Sequence, residues 1–176
     1  MKRLFFALDI SPAEKVKIAQ WRAAHCNIKA KAIAQDNFHI TLAFLGMVDN
    51  ETEQGLCQLN LDFLSDCQSP AAIKLKANSL GLFKRPQVLY LGFSKFEQKL
   101  TQLALNLIKQ AKQLKIKQED RPYLPHFSIY RKAKYLPNLQ WFDIELNISS
   151  FSLYHSRSTT DGVQYSPIKT WSLVKL

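Results

Sequence analysis

The chain contains two short runs of the same design, Phe38-His39-Ile40-Thr41 and Pro125-His126-Phe127-Ser128. Each places a histidine two residues before a hydroxyl, within an apolar stretch that favours a buried β-strand. Side chains at positions i and i+2 lie on the same face of a strand, roughly 7 Å apart, so each run presents an imidazole beside a hydroxyl. The intervening apolar residues suit the opposite, buried face. Two such strands predict a cleft with a histidine and a hydroxyl on either wall, which is the arrangement of an acid-base site.

The composition limits the class of protein. A chain of 176 residues can bury a core in one domain or in two fused lobes. Lysine and arginine number 24 against 14 aspartates and glutamates, a net charge of +10. This charge favours polyanionic partners, above all nucleic acid, although the lysines are spread along the chain as in any generally basic protein.

The cysteines and the N-terminal segment bear on the cellular compartment of the protein. Cys26, Cys57 and Cys67 have no C-x-x-C spacing, so we expect neither a disulfide framework nor a zinc site, and a cytoplasmic location. The first apolar run stops at Asp9, and no window reaches the roughly 20 apolar residues of a membrane span. We therefore expect a soluble protein with no membrane association.

Helix and strand signals alternate along the chain. Ser11-Pro12-Ala13-Glu14 combines an N-cap, a proline at the first helical position and a capping-box glutamate, and predicts a helix to about His25. The same cap spacing, Asn50 with Glu53 and Ser94 with Glu97, predicts helices over roughly 51–66 and 95–115. No linker or low-complexity tract interrupts the chain, so the sequence favours one two-lobed α+β unit over residues 1–176. Strand-rich segments are predicted at 3–9, 38–45, 71–83, 87–93, 126–131, 141–155 and 164–175.

The two histidines suit acid-base chemistry at phosphorus. Imidazole has a pKa near 6.5, so one neutral copy can accept a proton while a protonated copy donates one. In-line displacement at phosphorus needs both steps, and Thr41 and Ser128 would donate hydrogen bonds to the non-bridging oxygens.

Other uses of these residues are less well supported. Metal binding by His39 and His126 lacks an HExxH motif and a carboxylate close to either histidine, so we expect no metal and no cofactor. A Ser-His-Asp hydrolase lacks the G-x-S-x-G turn. His25 and His155 are expected to be structural or surface residues.

Four separated segments resemble those of a known family. They are Arg3–Ala7, Asn37–Gly46, Arg121–Ser128 and Tyr165–Trp171. In this order and spacing they resemble the bacterial and archaeal RNA 2',3'-cyclic phosphodiesterases, formerly called 2'-5' RNA ligases, of the two-histidine phosphoesterase superfamily. The resemblance implies a bilobal α+β fold in which two antiparallel sheets line a central cleft, with helices packed outside. It also implies hydrolysis of an RNA terminal 2',3'-cyclic phosphate to a 2'-phosphomonoester.

The resemblance also implies roles for single residues. His39 would be the proton donor to the departing 3'-oxygen, and His126 the proton acceptor that activates water. Thr41 and Ser128 fall on hydroxyl positions that contact phosphate, where Ser128 replaces the threonine usual in the family. Arg131 matches a basic residue that closes the second motif, although strict strand alternation places it on the face opposite His126.

Two aromatic residues are candidates for stacking a terminal base. For Phe44, core packing is the stronger interpretation. Tyr130 shares strand parity with His126 and is the better candidate for the cleft. Lys169 and Tyr165 are candidates to extend the positive rim, although the sequence alone leaves them as surface residues.

Together these observations predict a metal-independent phosphodiesterase that acts on RNA with 2',3'-cyclic phosphate ends, with 2'-5' ligation as the reverse reaction. We expect a monomer with no protein partner. Two alternatives stay open: a non-catalytic protein that binds RNA ends, and a phosphodiesterase for small cyclic nucleotides.

Overall fold

The computed structural model describes all residues except 60, 61, 65–67, 69, 70, 120, 140, 161 and 176. The helices are α1 Pro12–His25, α2 Asn50–Cys57 and α3 Gln98–Gln113, with a 3-10 turn at Gln35–Asn37. The strands are β1 Lys2–Asp9, β2 Lys31–Ala32, β3 His39–Val48, β4 Ile73–Ala77, β5 Ser79–Phe83, β6 Val88–Gly92, β7 His126–Arg131, β8 Ile144–Ile148, β9 Ser150–Thr159 and β10 Gly162–Ser172.

The strands form antiparallel sheets, which confirms the α+β class. Sheet I has the order β10-β9-β1-β3 and sheet II the order β2-β7-β6-β5. A two-stranded sheet III pairs β4 with β8, so the expected two sheets are joined by a third. In the described part of the chain, no helix has the length and apolarity needed to cross a bilayer.

Sheet III arises because two predicted strand segments are each divided between sheets. Segment 71–83 breaks at Asn78, whose backbone N–H donates to the Gly92 carbonyl at 3.1 Å. Segment 141–155 breaks at Ser149, which separates β8 from β9. Hydrophobic alternation within a strand does not indicate which partner it pairs with, so the sequence could not reveal these exchanges.

Helix α1 starts as predicted, with a complete capping box between Ser11 and Glu14. The other two predicted caps are wrong. Helix α2 is capped one residue earlier, by Asp49, whose carboxylate accepts from the Thr52 N–H at 2.8 Å. Helix α3 has Glu97 at its N-cap, because the hydroxyl of Ser94 instead accepts from the Asn78 side-chain amide at 2.8 Å. The second helix was predicted to reach residue 66, but α2 ends at Cys57. Residues 60, 61, 65 and 66 of the predicted range lie outside the described residues, as does Cys67.

A continuous buried cluster packs the sheets together and brings β3 close to β7. Phe38 and Phe127 lie next to the two histidines in sequence and are almost fully buried. Their ring centroids are 6.4 Å apart in an edge-to-face contact. This contact joins sheet I to sheet II directly beside His39 and His126.

Candidate active site

His39 and His126 hold their imidazoles in the same way. In each, Nδ1 donates a hydrogen bond to the backbone carbonyl two residues earlier, Asn37 at 2.7 Å and Leu124 at 2.8 Å. A carbonyl oxygen can only accept, so this partner assigns the proton of the neutral ring to Nδ1. Both rings therefore keep Nε2 as the nitrogen available for proton transfer.

Each histidine strand carries a β-bulge directly after its hydroxyl residue. In the pairing of β1 with β3, Ala7 opposes Thr41 and Phe6 opposes Ala43, which leaves Leu42 without a partner. In the pairing of β6 with β7, Tyr90 opposes Ser128 and Leu89 opposes Tyr130, which leaves Ile129 without a partner. An extra residue reverses the alternation from that point on, and in β3 a second bulge at Leu45 reverses it again. The two runs therefore share a frame of histidine, hydroxyl and bulge.

The bulge at Ile129 corrects the sequence-based placement of the two residues that follow it. Arg131 opposes Val88, which shares a face with Tyr90, so Arg131 lies on the same face as His126 and Ser128. The prediction that Tyr130 lies in the cleft is wrong. Its side chain is 8% exposed, and its hydroxyl donates to the Cys26 carbonyl at 2.9 Å inside the core.

The bulge at Leu42 corrects the expectation that Phe44 packs in the core. Phe44 opposes Phe5 and is 53% exposed, on the face of sheet I that carries His39 and Thr41. The guanidinium of Arg3 lies 5.6 Å from the centre of its ring. The core placement is therefore wrong, and an aromatic surface supported by a cation lies on the histidine face.

Arg22 of α1 supports the second bulge from behind. Its Nη1 donates to the carbonyl of Ile129 at 3.0 Å and to that of Ile33 at 2.6 Å. Its guanidinium also lies over the rings of Phe38 and Tyr130, 5.2 and 5.4 Å from their centres. The Ile129 carbonyl also accepts from the backbone N–H of Ile33 at 3.0 Å, so Arg22 is a second, charged donor to the bulge.

Two aromatic rings flank each imidazole. Phe5 and Tyr165 lie 4.9 and 5.0 Å from the ring centre of His39. Phe83 and Tyr90 lie 5.0 and 5.1 Å from that of His126. Tyr165 is thus in contact with His39, whereas the ammonium of Lys169 donates to the Cys57 carbonyl at 2.5 Å and lies over Trp171.

The wall beside His39 is anchored by Asp9. The carboxylate accepts hydrogen bonds from two serine hydroxyls of β9, at 2.6 and 2.9 Å, and from the Tyr154 hydroxyl at 2.7 Å. Tyr154 stacks on Phe5 with ring centres 5.3 Å apart, and Phe5 contacts His39. The aspartate therefore fixes the ring that packs on the histidine.

The electrostatics of the site favour neutral imidazoles when it is empty. Burial lowers the pKa of His39 from 6.5 to about 4, against the raising effect of the Asn37 carbonyl. The positive charges of Lys15, His126 and Arg131 lower the pKa of His39 further, so these groups lie within electrostatic reach of it. Burial likewise lowers the pKa of His126, with a smaller contribution from Arg121.

The sequence did not indicate Phe5, Phe83, Tyr90, Asp9 or Lys15 as part of the site. The first three and Asp9 lie on other strands, and their approach depends on sheet pairing. The sequence held one signal for Tyr90. It lies between Gly81 of β5 and Gly92 of β6, and a glycine within a strand often marks a place where another group approaches the backbone closely. Within the described ranges no three histidine, cysteine, aspartate or glutamate side chains are grouped as metal ligands would be. His25 is exposed beside Trp21, and His155 is half-buried on β9.

Comparison with known proteins agrees with this arrangement. The sequence model of the family described as LigT like Phosphoesterase matches residues 8–90. The chain is 32% identical to the RNA 2',3'-cyclic phosphodiesterase of Escherichia coli over 99% of its length and 98% of that protein. It is 30% identical to the RNA 2',3'-cyclic phosphodiesterase of Methanocaldococcus jannaschii, over 96% and 99% of the two chains.

A solved structure gives the same result. The crystal structure of Escherichia coli LigT complexed with 3'-AMP matches with a TM-score of 0.85 and 32% identity, and covers 99% of each chain. The similarity therefore spans both histidine strands and both four-stranded sheets. On this evidence the chain is a phosphoesterase and belongs to the LigT-like family.

Proposed function

We propose that this phosphoesterase hydrolyses the 2',3'-cyclic phosphate at the end of an RNA to a 2'-phosphomonoester, without a metal ion, by acid-base catalysis with His39 and His126. The observation that carries the proposal is the matched pair of imidazoles on adjoining sheets. Each is fixed through Nδ1 and keeps Nε2 for proton transfer.

In the proposed reaction His126 is the base and His39 the acid. Water attacks phosphorus in line with the 3'-oxygen, and its proton passes to Nε2 of His126. The bond between phosphorus and the 3'-oxygen breaks, and Nε2 of His39 gives its proton to that oxygen. The products are a 2'-phosphomonoester and a free 3'-hydroxyl, and one proton has moved from His39 to His126.

The low pKa of His39 specifies when it takes up its proton. At about 4, the pKa leaves the imidazole neutral in the empty site at neutral pH. The anionic cyclic phosphate places a negative charge beside the ring, which favours the imidazolium and raises its pKa. His39 therefore becomes an acid when substrate binds.

Three side chains on the histidine faces suit the phosphate. Thr41 and Ser128 share the faces of His39 and His126, and their hydroxyls would donate to the non-bridging oxygens. Arg131 follows on the same face as Ser128, and its planar fork matches two phosphate oxygens. Such donors stabilise charge that shifts during the displacement.

The chain's features also suit an RNA end. Phe44 is exposed beside Arg3, as expected of a platform on which a base stacks. The net charge of +10 attracts a polyanion. Relatives over nearly the whole chain are named RNA 2',3'-cyclic phosphodiesterase, and the structurally similar Escherichia coli LigT was crystallised with 3'-AMP.

The same acid and base would join two ends when an alcohol takes the place of water. A 5'-hydroxyl that replaces water would give up its proton in the same way and form a bond to phosphorus, leaving a 2'-5' linkage and a free 3'-hydroxyl. We propose ligation as the minor reaction, since water is far more abundant than any alcohol end.

The test uses histidine variants and two substrates. His39→Ala and His126→Ala should each lower kcat on a cyclic-phosphate oligonucleotide by ~10²–10⁴-fold, the usual effect of losing a general acid or base. The exposed His25 gives the matched control, His25→Ala, which should retain wild-type turnover. Near-normal turnover in either active-site variant would refute the proposal.

An aryl phosphodiester with an acidic leaving group tests which histidine is the acid. Such a leaving group needs no proton, so His39→Ala should lose much less activity on it, while His126→Ala loses as much as before. The opposite pattern would exchange the two roles.

A comparison of substrates separates this function from the open alternatives. We expect faster hydrolysis of a cyclic-phosphate oligonucleotide than of a mononucleoside cyclic phosphate, judged by kcat/KM. Equal or reversed values would indicate a small cyclic nucleotide as substrate. Salt-sensitive RNA binding with no product would indicate a protein that only binds RNA ends.

A further inference from the structure

The ring of Tyr90 lies in space that exists only because residue 81 is a glycine. Gly81 is the strand partner of Tyr90 in the pairing of β5 with β6. A Cβ on Gly81 would fall 2.2 Å from Cζ, 2.3 Å from the hydroxyl oxygen and 2.7 Å from Cε2 of that ring. Real Cβ atoms do not approach other atoms so closely, so any side chain at position 81 would displace the ring.

The lack of room for a side chain, and not the backbone conformation, explains why residue 81 is a glycine. The glycines with positive φ are Gly46 and Gly162, and Gly81 is not among them. An alanine could therefore adopt the backbone of Gly81 and would raise the strand propensity of β5. The effect of a side chain at this position falls on Tyr90.

In this position Tyr90 is one of the two aromatic rings that contact the imidazole of His126. Its ring stacks on Phe83, with centres 4.3 Å apart and planes inclined by 24°. Tyr90 and Phe83 each meet the imidazole of His126 at steep angles, 61° and 73°. The hydrogen bond to the Leu124 carbonyl fixes Nδ1 of His126, and the two aromatic walls limit rotation of the ring about that bond.

We propose that Gly81 is a positioning residue for His126: its missing side chain lets Tyr90 lie flat across β5 and hold the imidazole in line with the phosphate. The role in turnover rests on the proposed function, whereas the effect on the imidazole itself does not.

A methyl group at position 81 would act through the ring. Tyr90 would have to swing away from Phe83, and His126 would lose one wall. Misplacement of a reacting group by about 1 Å can lower turnover by ~10²-fold. Substrate contacts made by other residues stay in place, so kcat should fall while KM changes little.

The titration of His126 supplies a second readout that needs no turnover. Burial lowers its pKa, and the polar and charged groups on its side of the site are the Leu124 carbonyl, Arg121 before β7, Arg131 on the same face of β7, and His39 across the site. None of these moves when Tyr90 swings away, whereas water gains access to the imidazole. The pKa of His126 should therefore rise toward its ordinary value in Gly81→Ala, as followed by NMR of the ring protons.

A double-mutant cycle tests the coupling. Gly81→Ala should lower kcat by ~10- to 100-fold in the wild-type chain. In a Tyr90→Ala background the space is empty, so the same methyl group should change kcat by less than about twofold. Gly55→Ala on α2 is the matched control, because its Cβ meets only the flexible end of Leu114 at 3.3 Å, and it should leave kcat and the His126 titration unchanged.

Each outcome decides the proposal. An unchanged kcat and His126 titration in Gly81→Ala, or an equal loss of kcat in both backgrounds, would overturn it. If Gly81→Ala does not fold, Tyr90→Ala alone decides: the proposal requires a raised His126 pKa and a lower kcat, and native values overturn it. If the wild-type chain hydrolyses no cyclic phosphate, the proposed function fails, and the NMR titration still tests the positioning.

Discussion

Acidification should destabilise the ligand-free protein through His39. The imidazole has a pKa of about 4 in the folded chain and an ordinary value near 6.5 in the unfolded chain. Above pH 6.5 both forms are neutral and His39 has no effect. As the pH falls from 6.5 to about 4 the unfolded chain binds a proton that the folded chain does not, so the free energy of unfolding decreases.

The pKa difference sets the size of this effect. At about 1.4 kcal/mol for each pH unit, the fall from 6.5 to about 4 limits the loss to about 3 kcal/mol, and below pH 4 it levels off. Urea unfolding at a series of pH values measures it as the difference between wild type and His39→Gln. Subtracting the variant removes the contributions of the other titrating groups.

A ligand sharpens the experiment. Inorganic phosphate, which binds best beside a protonated His39, should reduce the acid-dependent loss. If wild type and His39→Gln lose stability in parallel, the imidazole titrates normally in the folded chain, and the inferred substrate-dependent protonation fails.

Four further results are expected. Phe44→Ala should raise KM for a cyclic-phosphate oligonucleotide by ~10-fold, because base stacking contributes about 1–3 kcal/mol, while Phe44→Tyr keeps the platform; equal KM values would exclude stacking there. Arg22→Met should lower the free energy of unfolding by about 2 kcal/mol, since it removes the charged donor that the Ile33 and Ile129 carbonyls share, and thermal or urea unfolding that matches wild type would contradict this. Tyr130→Phe should lower the free energy of unfolding by about 1 kcal/mol, through loss of the hydrogen bond to the Cys26 carbonyl, and leave kcat unchanged; a fall in kcat would show that Tyr130 takes part in the site. Turnover should survive excess chelator, and its loss, restored by added metal, would favour a metal-dependent reaction.

The parts of the site that could be predicted from sequence depend on local periodicity. His39 shares a face with Thr41, and His126 with Ser128, because a single residue separates the members of each pair and no bulge intervenes. The capping box of α1 also depends only on neighbouring residues, and its prediction from the sequence is confirmed.

The parts that could not be predicted depend on strand pairing. A bulge is defined by the partner strand, so nothing within Ser128–Arg131 indicated that Ile129 would be unpaired and that Arg131 and Tyr130 would exchange faces. The same holds for Phe44 after Leu42. The aromatic walls from β1, β5, β6 and β10 depend on which strands become neighbours, which is a long-range property of the fold.

The shared bulge gives the two half-sites the same order of histidine, hydroxyl and unpaired residue, and they differ in the residue that follows. In each, the third residue after the hydroxyl returns to the histidine face: it is Phe44 in one half and Arg131 in the other. Two half-sites with the same layout would accept a ligand in either direction. Under the proposed function, the contrast between the phenyl ring and the guanidinium would set the polarity of the RNA terminus, and a variant that exchanges the two residues is expected to invert it.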